Sequence, residues 1–173
     1  MGDDVKKIIL ICSISFVFLL AGCMEQTEEQ SSEERIEEKE KAQKEIYEGF
    51  QMDVSVKEEN ETLKMKVSVT NQTKEDTTFM FLNEFLYYFF IQSENEETVY
   101  DSRETTKQKK HVQEMLVKKG ETITFEESWD MMRNGEKIPT GTYTITGGIL
   151  VTKTDNIELD EDALTKTIVY ELK

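Results

Sequence analysis

The chain of 173 residues carries 36 acidic and 21 basic side chains, a formal net charge of −15, with one histidine, two cysteines and one proline. So acidic a surface argues against nucleic acid, whose phosphates need clustered Lys and Arg, and against lying flat on anionic lipid. The single histidine, His111, excludes a multi-histidine metal site and leaves a Ser/His/Asp triad poorly supported.

At the start, Lys6 and Lys7 precede an apolar run from Ile8 to Leu20. As a helix this run covers about 20 Å, well short of the roughly 30 Å hydrocarbon core, so it reads as the apolar part of a secretory signal and not as a permanent span. The small-residue pattern Leu20-Ala21-Gly22-Cys23 follows it. This resembles the lipobox of bacterial lipoproteins. The resemblance implies a signal peptide over 1–22, a diacylglyceryl group on Cys23, and a mature protein anchored by lipid on the extracytoplasmic face of the cell membrane. Cys12 would leave with the signal and Cys23 would be blocked. The folded part would then have no disulfide, no thiolate metal site and no Cys nucleophile.

From Cys23 to Glu45 the chain holds nine Glu against Arg35, Lys39, Lys41 and Lys44, with almost nothing apolar. So little apolar surface cannot offset the entropy of ordering, which makes 23–45 a tether. Its second half, Ser32–Glu45, is either coil or a solvated helix carrying pairs four apart, such as Glu37 with Lys41 and Glu40 with Lys44. The folded domain is expected over 46–173, long enough for one core and too short for two.

Past Tyr47, Phe50–Val56 and Leu63–Val69 alternate apolar and polar residues with period two, the mark of strands buried on one face, with Glu59-Asn60-Glu61 turning between them. Asn71–Asp76 is the next turn. Thr78–Ile91 holds seven aromatic residues and reads as two strands broken at Asn83-Glu84. Its density implies a core covered on both faces in preference to an exposed patch. A polar turn at Ser93–Glu97 leads to a short edge strand, Thr98–Asp101. Ser102–Gln113 has the least strand character and reads as a basic loop of net +3 on an acidic domain. Strand texture resumes at Met115–Val117, Thr122–Trp129, Gly141–Thr146 and Thr165–Leu172. Seven to nine short strands with frequent turns imply an all-β, antiparallel β-sandwich.

The Ser102–Gln113 loop, with Arg103, Lys107, Lys109 and Lys110, is the candidate protein-binding segment, since mobile loops of contrasting charge often carry recognition. A plain solvated connection is the competing reading. Asp155–Asp162 offers oxygen ligands but lacks the spacing and glycine of a calcium loop, so a charged loop is the simpler reading. No carboxylate pair stands out, and His111, with no Ser or Cys beside it, reads as a surface residue. No cofactor, metal or catalytic constellation is implied.

Glu127-Ser128-Trp129-Asp130, followed by Asn134-Gly135 and Pro139-Thr140-Gly141-Thr142-Tyr143-Thr144, is the sharpest motif. A strand ends in Trp129, a turn follows at Asn134-Gly135, Pro139 and Gly141 set a second turn, and Tyr143 enters the next strand. Trp129 and Tyr143 are expected between the sheets. With Thr70-Asn71 and Val99-Tyr100 before it, this arrangement resembles the BsuPI domain family, named after a Bacillus intracellular proteinase inhibitor, over roughly Leu63–Leu150. The resemblance implies an immunoglobulin-like sandwich and a protease as partner. An export signal and a lipid would remove a cytoplasmic target. The expected function is therefore a non-catalytic envelope lipoprotein that binds another extracytoplasmic protein. That partner is either an exported protease to be inhibited or modulated, or a component for which the domain is an adaptor without inhibitory activity.

Overall fold

The computed structural model describes residues 41, 44, 48–105, 110–155, 157–160 and 162–173. Cys23, the signal segment and nearly all of the tether lie outside these. The chain divides into compact units 1–42 and 43–173, and every residue of the buried core belongs to the second. Among the described residues no helix is long and apolar enough to cross a membrane.

In chain order the strands are β1 (Phe50–Glu59), β2 (Thr62–Asn71), β3 (Thr77–Asn83), β4 (Tyr87–Ser93), β5 (Thr98–Asp101), β6 (Lys110–Val117), β7 (Thr122–Trp129), β8 (Met132–Arg133), β9 (Glu136–Lys137), β10 (Gly141–Ile149), β11 (Lys153–Thr154), β12 (Ile157–Glu158) and β13 (Thr165–Leu172). One 3-10 turn, Ser102–Thr105, separates β5 from the segment before β6. Nine strands are four residues or longer, the top of the expected range, and the rest are two-residue ladders too short to leave a pattern in sequence. Every pairing between the described strands is antiparallel.

One layer is β1-β2-β7. Facing it, β13-β10-β4-β5 and β12-β11-β3-β6 follow one another along the same strands, since β3 leads into β4 and β10 into β11. The bend is stitched by Leu150 N–H to Leu86 O and Thr152 N–H to Met80 O, each 2.9 Å. Two-residue alternation sends Met65, Val67 and Val69 of β2 inward to meet Phe79, Phe81, Phe89, Ile91 and Ile145 from the other layer, all essentially inaccessible. Phe50 and Phe79 meet edge to face across the layers at 5.0 Å.

The β1–β2 turn places Asn60 and Glu61 at φ 53° and 60°, both left-handed, the geometry that a two-residue hairpin needs to match strand twist. At the other end of β2, Asn71 is fully buried. Its Nδ2 donates to Glu75 O (3.0 Å) and Val117 O (2.9 Å), and its Oδ1 accepts from Thr73 N–H (2.9 Å) and the Thr73 hydroxyl (2.6 Å). Every polar atom of that amide is satisfied, so it fixes the turn from β2 to β3 and ties it to the end of β6.

Two expectations need correction. Residues 110–113 are strand and not loop: β6 begins at Lys110, opposite Asn83, and a bulge then sets its residues 111 and 112 against Leu82 alone before Gln113 pairs with Phe81. Thr78–Ile91 is covered on both faces only in its second half. On β4, Tyr88 is buried on the outward side, its ring against Gly148, where an added Cβ would lie 2.2 Å from it. On β3 the outward residues are Thr78, Met80 and Leu82, and Leu82 is 46% exposed.

Candidate functional site

The Trp129–Tyr143 motif builds one end of the sandwich. Trp129, buried, stacks on Tyr100 with centroids 4.7 Å apart, and its Nε1–H donates to Met132 O at 3.3 Å. Asp130 Oδ1 accepts Met132 N–H at 3.0 Å, which turns the chain into the β8–β9 hairpin, closed by Asn134 and Gly135 at φ 53° and 84°. Arg133 of that hairpin pairs with Glu97 of the β4–β5 turn at 2.7 Å. The Tyr143 hydroxyl donates to Pro139 O at 2.6 Å, closing the corner through which the chain enters β10. Burial pushes the Tyr143 phenol above its ordinary range. Gly141, at φ 156°, adopts a conformation that L side chains rarely take. Each of these four motif residues therefore has its contacts within the framework.

Beside Trp129 the two layers close on an aromatic seam. Tyr87 stacks on Phe125 at 5.0 Å and its hydroxyl donates to Glu126 O at 3.1 Å. The Tyr100 hydroxyl donates to Glu127 Oε1, a carboxylate on the inward side of β7. Burial, then this hydrogen bond and the Glu127 charge, push the Tyr100 phenol far above the tyrosine range.

Of the candidate binding residues, Lys107 and Lys109 lie outside the described residues, and so does the side chain of Lys110 at the start of β6. Arg103 does not project as a recognition side chain would. Its Nε and an Nη donate to the two carboxylate oxygens of Asp101 at 2.8 and 2.7 Å, and its guanidinium lies 4.4 Å from the Tyr88 ring centre and 5.8 Å from that of Phe90. Burial alone would push the Asp101 carboxyl up, but the hydrogen bonds and charge of Arg103 outweigh it and hold the carboxyl below its ordinary value. Ser102 Oγ accepts the buried Phe89 N–H at 2.9 Å, so the start of the supposed loop is fastened to β4. His111 is exposed on β6.

The acidic segment contains β12, and its first carboxylate has a structural partner: Asp155 Oδ1 accepts Thr78 N–H at 3.2 Å. Asp76, one of residues 72–77 lining a hollow of about 620 Å³, likewise has a structural partner: its Oδ1 accepts Lys119 N–H at 2.9 Å. Among the described residues no three His, Cys, Asp or Glu side chains converge as metal ligands would.

The surface that departs from this pattern is the outward face of β3 and β6. There Val112 is 63% and Leu116 55% exposed beside Leu82, with Glu114 between the two on β6. The sequence reading missed it, because Val112 fell inside the supposed loop and Leu82 inside the supposed double-sided core. The alternation Val112, Glu114, Leu116 was the available signal.

Residues 50–154 match the family described as BsuPI, intracellular proteinase inhibitor. The chain belongs to the BsuPI family. The match spans β1 through β11 and includes the Trp129–Tyr143 corner. No curated protein matches the chain. Similar solved structures include DesR, a beta-glucosidase from Streptomyces venezuelae (15% identity, TM-score 0.40, 72% of this chain and 15% of that one). Others are beta-glucuronidase 2 from Bacteroides uniformis (14%, 0.40, 70% and 13%) and the ApaA protein of Bordetella pertussis (13%, 0.34, 71% and 93%). The BsuPI chain thus spans 15% and 13% of the length of the two glycosidases.

Proposed function

We propose that this BsuPI protein is a non-catalytic, lipid-anchored domain of the cell envelope that binds and restrains an exported protease. The observation that carries the reading is the family match over residues 50–154, which makes a protease the first partner to test. The Tyr143–Pro139 bond supports an immunoglobulin-like sandwich, since a tyrosine hydroxyl reaching back to a backbone carbonyl at a strand entrance is a hallmark of such folds. Such sandwiches serve as rigid carriers for binding surfaces. The anchor rests on Leu20-Ala21-Gly22-Cys23, with signal 1–22, tether 23–45 and domain 46–173 as the proposed division.

Residues 43–173, assayed against a set of extracellular serine proteases, should inhibit at least one saturably and near one-to-one stoichiometry. Full activity of every protease at a large molar excess of folded domain would sink the inhibitory reading. Cys23→Ser should leave the precursor uncleaved and free of lipid label; a normally processed, membrane-held variant would remove the anchor.

The adaptor reading is favoured by one observation. Arg103, one of the four basic residues proposed to enter a protease pocket, is held by Asp101 and laid over Tyr88.

A further inference from the structure

We infer that the free edge of β6, with the apolar outer face it shares with β3, docks an extended segment of a partner protein. That segment carries a Lys or Arg with a branched apolar residue two positions away on either side. The inference deepens the protein-binding reading above and rests on it for the partner being a protein.

Among the described strands β6 is the last of its sheet, with β3 on one side only. An unpaired strand edge presents a row of N–H and C=O groups that another extended chain can complete. Natural edges are usually blunted, and the other edges of this domain are. Outward positions of β1 are Gln51, Asp53, Ser55 and Lys57, and those of β7 are Thr122, Thr124, Glu126 and Ser128. The β5 and β12 edges are only four and two residues long, and on β13 the exposed Val169 stands between Thr167 and Glu171. β6 alone among them spans eight residues with two exposed large apolar side chains on one face, extended sideways by Leu82.

The register specifies the occupant. Residues directly opposite in an antiparallel pair share a face and touch, so an added strand would set its own alternate side chains against Val112, Glu114 and Leu116. Apolar residues suit the outer two positions and a cation the middle one. Among the described residues Glu114 makes no ion pair, and its neighbour across β3 is Met80. A second copy of this chain fits worse. The two-fold register that brings Val112 onto Leu116 places Glu114 against its own symmetry mate, and each chain carries a net charge of −15.

The test is a titration of ¹⁵N-labelled residues 43–173, which hold the whole core, with a heptapeptide of alternating threonine and valine centred on lysine, and with its glutamate-centred twin. The lysine peptide should bind at least tenfold tighter, with amide shifts confined to β6 and β3. Glu114→Lys should reverse the preference, and Leu116→Lys should abolish binding while leaving the urea midpoint of this exposed site unchanged. Equal affinity for the two peptides, shifts centred on another edge, or no binding would overturn the inference. So would a concentration-dependent dimer that Leu116→Lys dissolves, which would assign the edge to a second copy. A domain that inhibits a protease yet ignores both peptides overturns this site and leaves the inhibitory reading. Selective peptide binding with no protease inhibited supports the site and removes that reading.

Discussion

The outer faces of β2 and β3 are built on the same alternation with opposite chemistry. Around β2, solvent-facing side chains are Lys64, Lys66, Ser68 and Thr70, and they find cross-strand partners: Lys66 meets Glu126 at 2.6 Å and Thr70 meets Thr122 at 2.8 Å. Around β3 they are Thr78, Met80 and Leu82, beside Val112 and Leu116 of β6. The inner faces of both strands are mainly apolar and buried, with Asn71 and Thr77 as buried polar ends, so folding stability accounts for the inner residues and is silent on the outer ones. Exposed apolar area on an edge is a standing aggregation risk, and the β1-β2-β7 layer demonstrates that this sequence can avoid it. The difference is the one that the inferred docking face would account for.

Four measurements would break or sharpen the contrast. The largest effect belongs to the inner face: Phe79→Ala should cost about 4 kcal/mol in urea unfolding, whereas Leu82→Ser, three positions on and facing out, should cost less than about 0.5 kcal/mol. Comparable losses at the two sites would mean that the outer face is covered. Next comes the pin between the two regions. Asn71→Ala leaves Val117 O, Glu75 O and Thr73 N–H without their amide partner and should cost about 3 kcal/mol, with early loss of amide protection in the 72–76 turn and at the end of β6. Unchanged exchange there would refute the pin.

A smaller effect lies in the aromatic seam. The Tyr100 phenol is raised in the folded state, so the unfolded chain loses that proton first as the solution becomes alkaline. The stability it contributes is complete below the ordinary tyrosine value near 10 and is lost as pH rises above it. Tyr100→Phe should cost about 1 kcal/mol at neutral pH and lose stability less steeply above pH 10 than the natural chain. Parallel curves would exclude Tyr100 as the titrating group. The smallest effect is on the polar face. Lys66→Ala should cost about 0.5 kcal/mol in low salt and nothing measurable in 1 M salt, because both partners of the pair are exposed. Leu116→Ser should be as mild but indifferent to salt.

Much of the framework was legible because it rests on local pattern. The β1–β2 hairpin follows from alternation either side of Glu59-Asn60-Glu61, and the Trp129-to-Tyr143 corner follows from residue types with narrow conformational roles. What was hidden depends on residues distant in sequence. Alternation cannot separate a strand covered on both faces from one bearing apolar residues toward solvent, so β3 and β4 read alike until Tyr88, Gly148 and Arg103 were seen stacked on β4 alone. β6 opens with Lys110-His111, which masked its start. The Arg103–Asp101 clasp forms where β5 gives way to a 3-10 turn, and no periodicity announces it.

Gly147 and Gly148 sit side by side on the central strand β10 and make room in opposite directions. A side chain at Gly147 would strike Val54 and Val67 of the facing layer, and one at Gly148 would strike the Tyr88 ring on the outside. The pair thus acts as a two-sided key for register. If β10 slid along β4 by one residue, Thr146 or Ile149 would enter a space that admits only hydrogen, on whichever face was tested. Misaligned pairings of this strand are rejected by collision before any hydrogen bond is weighed.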